Sequence, residues 1–342
     1  MSGTAPRFVY AVDADGLTKA YPQVREEVGV YGVSGPEPLP PEVTGVIALG
    51  DRPLACCSLT TAADLHGAPG VTGMIGHYEA LGEEAGVAVL EHARDALAER
   101  GVARVLGPIN GSTWARYRLA LPSEPSDPGF DPPHFLGEPC NPFSYPEHFG
   151  AAGFDIVARY ESRIDEAPGE EAADAPKLAA RVHAGGLRVR PLDPGRFDEE
   201  LGMLYTVSLE AFAENLYFTP LDSDSFRRMY QGIRPSIDPG LVLIAEDSCG
   251  APVAFQFAFL DPLSRRDGRA PRAIVKTVAT LPAARGRGLA GHMLDLLRQA
   301  ASERGCGAVI HALMHVANFS MNMSARHRTR VFRRYALYQW RP

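Results

Sequence analysis

Lysine is almost missing from this 342-residue sequence: it occurs only at Lys19, Lys177 and Lys276. Arginine supplies the rest of the 34 basic residues, set against 41 acidic ones for a net charge of −7. A chain that is acidic overall has no global attraction for nucleic acid. Cysteine is also sparse. Cys56, Cys57, Cys140, Cys249 and Cys306 are odd in number and form no C-x-x-C pair. That argues against a disulfide framework and against a zinc site, and it predicts a reduced, cytoplasmic setting with no metal. No apolar run approaches the ~18 residues of a membrane span, so no membrane partner is expected. The opening MSGTAPRFVY lacks a basic stretch followed by an apolar one, so no signal peptide is expected either.

What is present reads as a globular chain, 45% hydrophobic and 22% charged, long enough for two domains. Residues 164–186 read as a linker, because the stretch from 161 on is acidic, rich in Ala and Pro, and has little to bury. A short helix is possible from Pro176 to Val182. The second half alternates strand and helix signals. Strands are predicted at 187–192, 241–247, 251–260, 272–281, 307–315 and 329–340. Helices are predicted at 196–212, at 222–233 behind an Asp or Ser cap, and from the RGRGLAGHMLDLL stretch to about Arg304. The first half carries a fainter version of the same ending: a strand at 71–80, a helix at 83–101 and a strand at 102–110. Both of these helices end in ERG, and both following strands run into an Asn. That is a weak repeat at roughly two hundred residues, and it suggests two copies of one domain.

RGRGLAG (285–291) places glycines and arginines ahead of an amphipathic helix whose apolar face is Leu289, Met293, Leu296, Leu297 and Ala300. A helix N-terminus offers free N–H groups and the positive end of its dipole, and glycine lets an anion approach them. A tight turn that merely tolerates glycine is the bland alternative. GRGLAG also matches the dinucleotide fingerprint G-x-G-x-x-G. No acid follows about 20 residues later, however, and too little chain remains for a dinucleotide-binding sheet.

RGRGLA, read as [Q/R]-x-x-G-x-[G/A] between a strand and a helix and followed by a strand ending in Asn, resembles the GCN5-related N-acetyltransferase (GNAT) superfamily. The resemblance covers about 187–340 in full element order. It implies an α/β (α+β) fold of two tandem GNAT-like domains, each a mixed, mostly antiparallel sheet flanked by helices. It further implies a degenerate copy at 1–163 that does not bind coenzyme A, the linker, and an acyltransferase domain at 187–342. By position, Arg285, Gly286, Arg287, Gly288, Leu289 and Ala290 would hold the pyrophosphate of acetyl-CoA or another acyl-CoA. Val278, Ala279 and Thr280 would receive the pantetheine and acyl carbonyl where two strands splay, and Asn318 would contact the pantetheine arm. In the first half the corresponding loop is LGEEAGVA (81–88), where Glu83 and Glu84 would repel a phosphate.

The implied chemistry is direct attack of a primary amine, from a small molecule, on the thioester, which needs a proton acceptor. The strand that often carries a Glu in this family has none here. His315 is the first candidate, since it lies near the strand end, with Glu210 and Glu214 behind it. The position of the family's usual Tyr acid is Ala325, so Ser324, Tyr335, Tyr338 or water would protonate the thiolate. The missing Glu and Tyr also fit a non-catalytic module that senses acyl-CoA or binds a protein. RHRTRVFRR (326–334) reads as an edge strand guarded by charge. A monomer or homodimer is expected.

Overall fold

The computed structural model describes residues 6–29, 37–40, 43–123, 132–264 and 270–342. The proline-rich stretch 124–131 lies outside them. In chain order the strands are β1 (Phe8–Val12), β2 (Thr44–Leu49), β3 (Pro53–Leu65), β4 (Ala68–Ala80), β5 (Arg104–Gly107), β6 (Leu119–Ala120), β7 (Asp155–Asp165), β8 (Arg188–Pro191), β9 (Val242–Glu246), β10 (Pro252–Leu260), β11 (Arg272–Thr280), β12 (Ala308–His315) and β13 (Arg330–Trp340). The helices are α1 (Ala14–Val28), α2 (Glu83–Glu99), α3 (Tyr145–Ala151), α4 (Ala175–Ala184), α5 (Phe197–Phe212), α6 (Ser223–Gln231), α7 (Leu289–Glu303) and α8 (Ser320–Ala325).

Local chemistry sets several boundaries. Asp222 caps α6 by accepting from Ser225 N–H at 2.8 Å, as the sequence predicts. Asp13 does the same for α1, which ends at Gly29 with φ +67°, a conformation that favours glycine.

The chain divides into two compact units: residues 1–159 with 215–219 and 334–342, and residues 160–214 with 220–333. In the first unit the strand order is β1, β2, β3, β4, β5, β13. The β4–β5 pair is parallel and the others are antiparallel. Val89, Leu90, Ala93 and Leu97 of α2 pack on this sheet, and Ala336 and Tyr338 of β13 lie in the same core. In the second unit the order is β8, β9, β10, β11, β12, β7. Only β11–β12 is parallel. Leu289, Met293, Leu294 and Leu297 of α7 are buried there together with Val182 of α4. Each contributes roughly 1.5–3 kcal/mol by leaving water.

This division departs from the boundaries expected at 163 and 187. The last strand of the chain completes the sheet of the first unit, and Tyr160–Asp165 completes that of the second. A strand's alternation tells which face is buried but not which sheet receives it. The stretch expected as a linker is structured: it holds the end of β7 and all of α4. RHRTRVFRR is ion-paired: Arg326 pairs with Asp174 and Asp295, and Arg330 with Glu166.

Candidate functional site

In the second unit β11 and β12 pair from Arg272↔Ala308 to Val275↔His311 and no further. Beyond that point β11 stays paired with β10 as far as Thr280↔Ala254, and β12 stays paired with β7 as far as His315↔Tyr160, past an irregularity between His311 and Met314. The two parallel strands therefore part. Val278, Ala279 and Thr280 lie on the part of β11 that is no longer paired with β12.

The glycine loop lies directly after β11. A short 3₁₀ turn, Pro282–Ala284, leads to Gly286 (φ +74°) and Gly288 (φ +83°), which opens α7. The first helical bond runs from His292 N–H to Gly288 C=O. Among the described residues, the N–H groups from Gly286 to Ala290 have no backbone acceptor. Orphan donors aimed outward at a helix start make an anion site, so these residues fit a pyrophosphate.

The side chains around the loop brace it. Arg285 donates to the carbonyls of Ala211 (2.9 Å) and Thr280 (3.3 Å) and pairs with Glu214 at 3.3 Å. Its guanidinium thus ties the loop to the ends of α5 and β11. Arg181 of α4 donates to Gly286 C=O at 2.9 Å, and Arg287 donates to Gly185 C=O at 2.6 Å. A Cβ at Gly288 would come within 2.8 Å of Leu178, so α4 packs closely against the loop. Nothing in the composition of 164–186 signalled that contact.

The candidate proton carriers are scattered. His315 is half-buried, its ring edge-on to Tyr160 at 5.0 Å. Its Nδ1 accepts from Ala317 N–H at 3.1 Å, so the neutral ring presents an N–H rather than a lone pair at Nε2. Ser324 is fully buried and bonded to His311 Nδ1 at 2.8 Å and to Thr329 Oγ1 at 3.2 Å. It lies inside the core, not in the gap. His311 is buried as well, and burial pushes its pKa down to about 3. Glu210 is exposed at the end of α5, and Asn318 is exposed just past β12. Tyr335 and Tyr338 belong to the first unit. No cluster of metal-ligating side chains occurs among the described residues, and none of their helices is long and apolar enough to cross a membrane.

In the first unit the equivalent positions are filled from within. Glu83 and Glu84 occupy the first turn of α2. The Tyr145 hydroxyl of α3 accepts from Ala80 N–H at 2.8 Å, a backbone group at the end of β4 like those at the end of β11. A Cβ at Gly86 would run into the Tyr78 hydroxyl and His148.

Comparison with known proteins agrees with this geometry. Residues 208–327 match the model of the acetyltransferase (GNAT) family. The likeness to the GNAT family lies in that stretch. It is similar to a bacterial ceramide synthase of Caulobacter vibrioides, 28% identical over 182 residues, which is 50% of this chain and 44% of that relative. Among solved structures, a GCN5-related N-acetyltransferase from Sphaerobacter thermophilus aligns with a TM-score of 0.54 at 16% identity over 99% of this chain and 98% of that one. A tandem GNAT protein from the clavulanic acid biosynthesis pathway aligns with a TM-score of 0.53 at 14% identity over 98% of each. The chain spans less than half the length of the curated relative it matches, and the family match runs from α5 through the glycine loop and α7 to just past α8.

Proposed function

We propose that the second unit transfers an acyl group, acetyl in the simplest case, from acyl-CoA to the primary amine of a small molecule, and that the first unit binds no coenzyme A. The observation that carries this is the row of unpartnered N–H groups from Gly286 to Ala290, set directly after a strand that has parted from its neighbour. Bound acyl-CoA supplies a thioester carbonyl and a thiol leaving group. Gly286, Arg287, Gly288, Leu289 and Ala290 hold the pyrophosphate through backbone N–H groups and the helix dipole. Arg285 sets the loop's position, and Arg181 and Arg287 add positive charge at its rim. The backbone of Val278, Ala279 and Thr280 orients the arm and the carbonyl, and an N–H there stabilises the oxyanion. Asn318, exposed just past β12, is the candidate contact for the arm. Glu210, exposed near the end of α5, is the candidate acceptor for the amine proton, through water. His315 is better suited to donate from Nε2 than to accept.

A second reading, acyl-CoA sensing without turnover, has one observation in its favour: Ser324 is sealed in the core, and the His315 lone pair is already used. The relative named a ceramide synthase supports testing a long acyl chain too, because ceramide is an N-acylated lipid amine.

Calorimetric titration of acetyl-CoA into the full chain tests the reading, with one site per chain expected. Arg285→Glu is expected to weaken binding by about tenfold or more, since a like charge near a phosphate costs about 1 kcal/mol or more and the loop's braces are lost as well. Absence of binding overturns the acyltransferase reading, and two sites overturn the assignment of the first unit. Binding without turnover on any amine favours the sensor.

A further inference from the structure

In β11 every residue is buried or half-buried except Lys276, which is exposed. Its place in the sheet explains the exposure. Phe257 of β10 pairs with Thr277 and Ala258 pairs with Val275, so Lys276 is an extra residue, a β-bulge. The pairing of β11 with β12 ends at Val275↔His311. Lys276 is therefore the first residue of β11 beyond that pairing, and it stands two positions before Val278. A bulge re-aims a side chain and is often found beside a functional site. Nothing in the run RAIVKTVATL marks this residue, because a bulge is a property of the pairing.

The register also fixes the face. Val275 and Ala258 share a core with Leu289 and Met293 of α7. Phe257 lies on the other face, its ring 5.5 Å from that of Tyr230 of α6 and close to Leu201 and Leu204 of α5. Directly paired residues share a face, so Thr277 sits on the side of Phe257. Alternation from Val275 puts Lys276 on that same side. The two bulge residues, a lysine and a half-buried threonine, thus stand together on the face covered by α5 and α6.

A lysine at this point acts on an amine acceptor in two ways. It lies about 7 Å along the strand from Val278, at 3.3–3.4 Å per residue, where the thioester is proposed to lie. Its ammonium has three N–H donors, enough to take an anionic group of the acceptor beside the contact it makes within the chain. The same charge repels a second ammonium. Of the carboxylates at the end of α5, Glu214 is paired with Arg285 at 3.3 Å and Glu210 is exposed.

We propose that the acceptor is an amine that also carries a carboxylate, as an amino acid does, and that Lys276 holds this carboxylate with the Thr277 hydroxyl beside it. One lysine and one hydroxyl match a single negative charge, and the length of the lysine arm leaves amine and carboxylate a few bonds apart. This rests on the acyl transfer proposed for the second unit and names its acceptor class. The amine nitrogen bonds to the thioester carbonyl carbon, the C–S bond breaks, the amine proton leaves through water to Glu210, and the thiolate takes up a proton. The products are an N-acyl amino acid and a free thiol.

The test is thiol release from acetyl-CoA by the full chain on three amines of matched length: β-alanine, propylamine and 1,3-diaminopropane. β-Alanine is expected to exceed propylamine about tenfold in kcat/KM, mainly through KM, the scale of one charge-assisted hydrogen bond. 1,3-Diaminopropane is expected to be the poorest. Lys276→Met is expected to bring the ratio of β-alanine to propylamine close to one, and Lys276→Glu to favour 1,3-diaminopropane. A cooperative thermal transition shows that each variant is folded, and if neither is, the wild-type ratio decides alone. A wild-type ratio of one or less, or an unchanged ratio in folded Lys276→Met, overturns the inference while leaving the acyltransferase reading in place. Absence of acetyl-CoA binding overturns both. If acetyl-CoA binds without turnover on any amine, calorimetry of β-alanine and propylamine with coenzyme A present decides: tighter β-alanine binding that is lost in Lys276→Met supports the carboxylate site, and equal affinities overturn it.

Discussion

His311 shows what burial does to a single titratable group in the second unit. Its folded pKa is about 3, against 6.5 ordinarily. Below pH 6.5 the unfolded chain binds a proton at this histidine and the folded chain does not, down to about pH 3. Stability from this group is therefore present above pH 6.5 and is lost as pH falls through the window from 6.5 to 3. Within that window the slope is about 1.4 kcal/mol per pH unit. Urea unfolding at pH 7, 6 and 5 is expected to be steeper in pH for the wild type than for His311→Gln, by about that slope between pH 6 and 5. Equal slopes would show that His311 gains its proton in the folded state. The same residue illustrates what the sequence conceals. His311 and His315 are four apart, a spacing that puts both on one face of a regular strand, with His315 preferred as a base for lying nearer the strand end. Burial and the Ser324 hydroxyl remove the first, and the Ala317 N–H engages the second at Nδ1. The Arg285–Ala290 loop was legible because its chemistry is carried by backbone and glycine within six residues. The proton carriers were not, because their fitness depends on what surrounds them.

At the scale of elements, α4 joins the second unit through few side chains. Ala175 and Val182 are its buried residues, which is why a stretch rich in Glu, Ala and Pro read as a linker. What fixes the segment before it is an arginine from α7, 133 residues away in sequence. Arg298 is 4% exposed and Asp165 1%, and they pair at 2.5 Å. Arg298 also donates to the carbonyls of Glu170 and Ala167, both at 2.8 Å. Every arm of the guanidinium is thus used to hold the chain between β7 and α4. Replacing it with Met strands a buried carboxylate and two carbonyls. Arg298→Met is expected to cost about 3–5 kcal/mol, the range for breaking one side of a buried ion pair. Denaturant unfolding measures this, and a cost below 1 kcal/mol would show that Asp165 finds water instead. Because α4 also braces the glycine loop through Arg181, the variant is expected to bind acetyl-CoA more weakly as well. The regular elements of the second unit were legible for two reasons: α7 buries an amphipathic face, and β9–β12 are apolar runs buried on both faces. The contribution of α4 rests on pairings that no local pattern encodes.

At the scale of the whole chain, the sheets are closed by strands from unexpected places. The core of the first unit includes Ala336 and Tyr338, with Tyr338 against Phe149 at a ring separation of 5.2 Å. The sheet of the second unit includes Tyr160–Asp165, whose Asp165 anchors Arg298. A cut at the boundary suggested by composition therefore removes a strand from each unit. A fragment 187–342 lacks both α4 and the β7 partner of β12, and it carries β13 without β5. It is expected to be largely unfolded, with no cooperative thermal transition. A fragment 160–333 holds every residue of the second unit, including Asp165, Arg181 and the glycine loop. It is expected to unfold cooperatively and to bind one acetyl-CoA in calorimetry. Should 187–342 fold and bind as well as 160–333, the β7 strand and α4 contribute nothing to the site, and the bracing assigned to Arg181 and Arg298 falls with them. Should neither fragment fold while the full chain binds one acetyl-CoA, the second unit depends on the first for its stability. That would give the copy with the filled cradle a structural role.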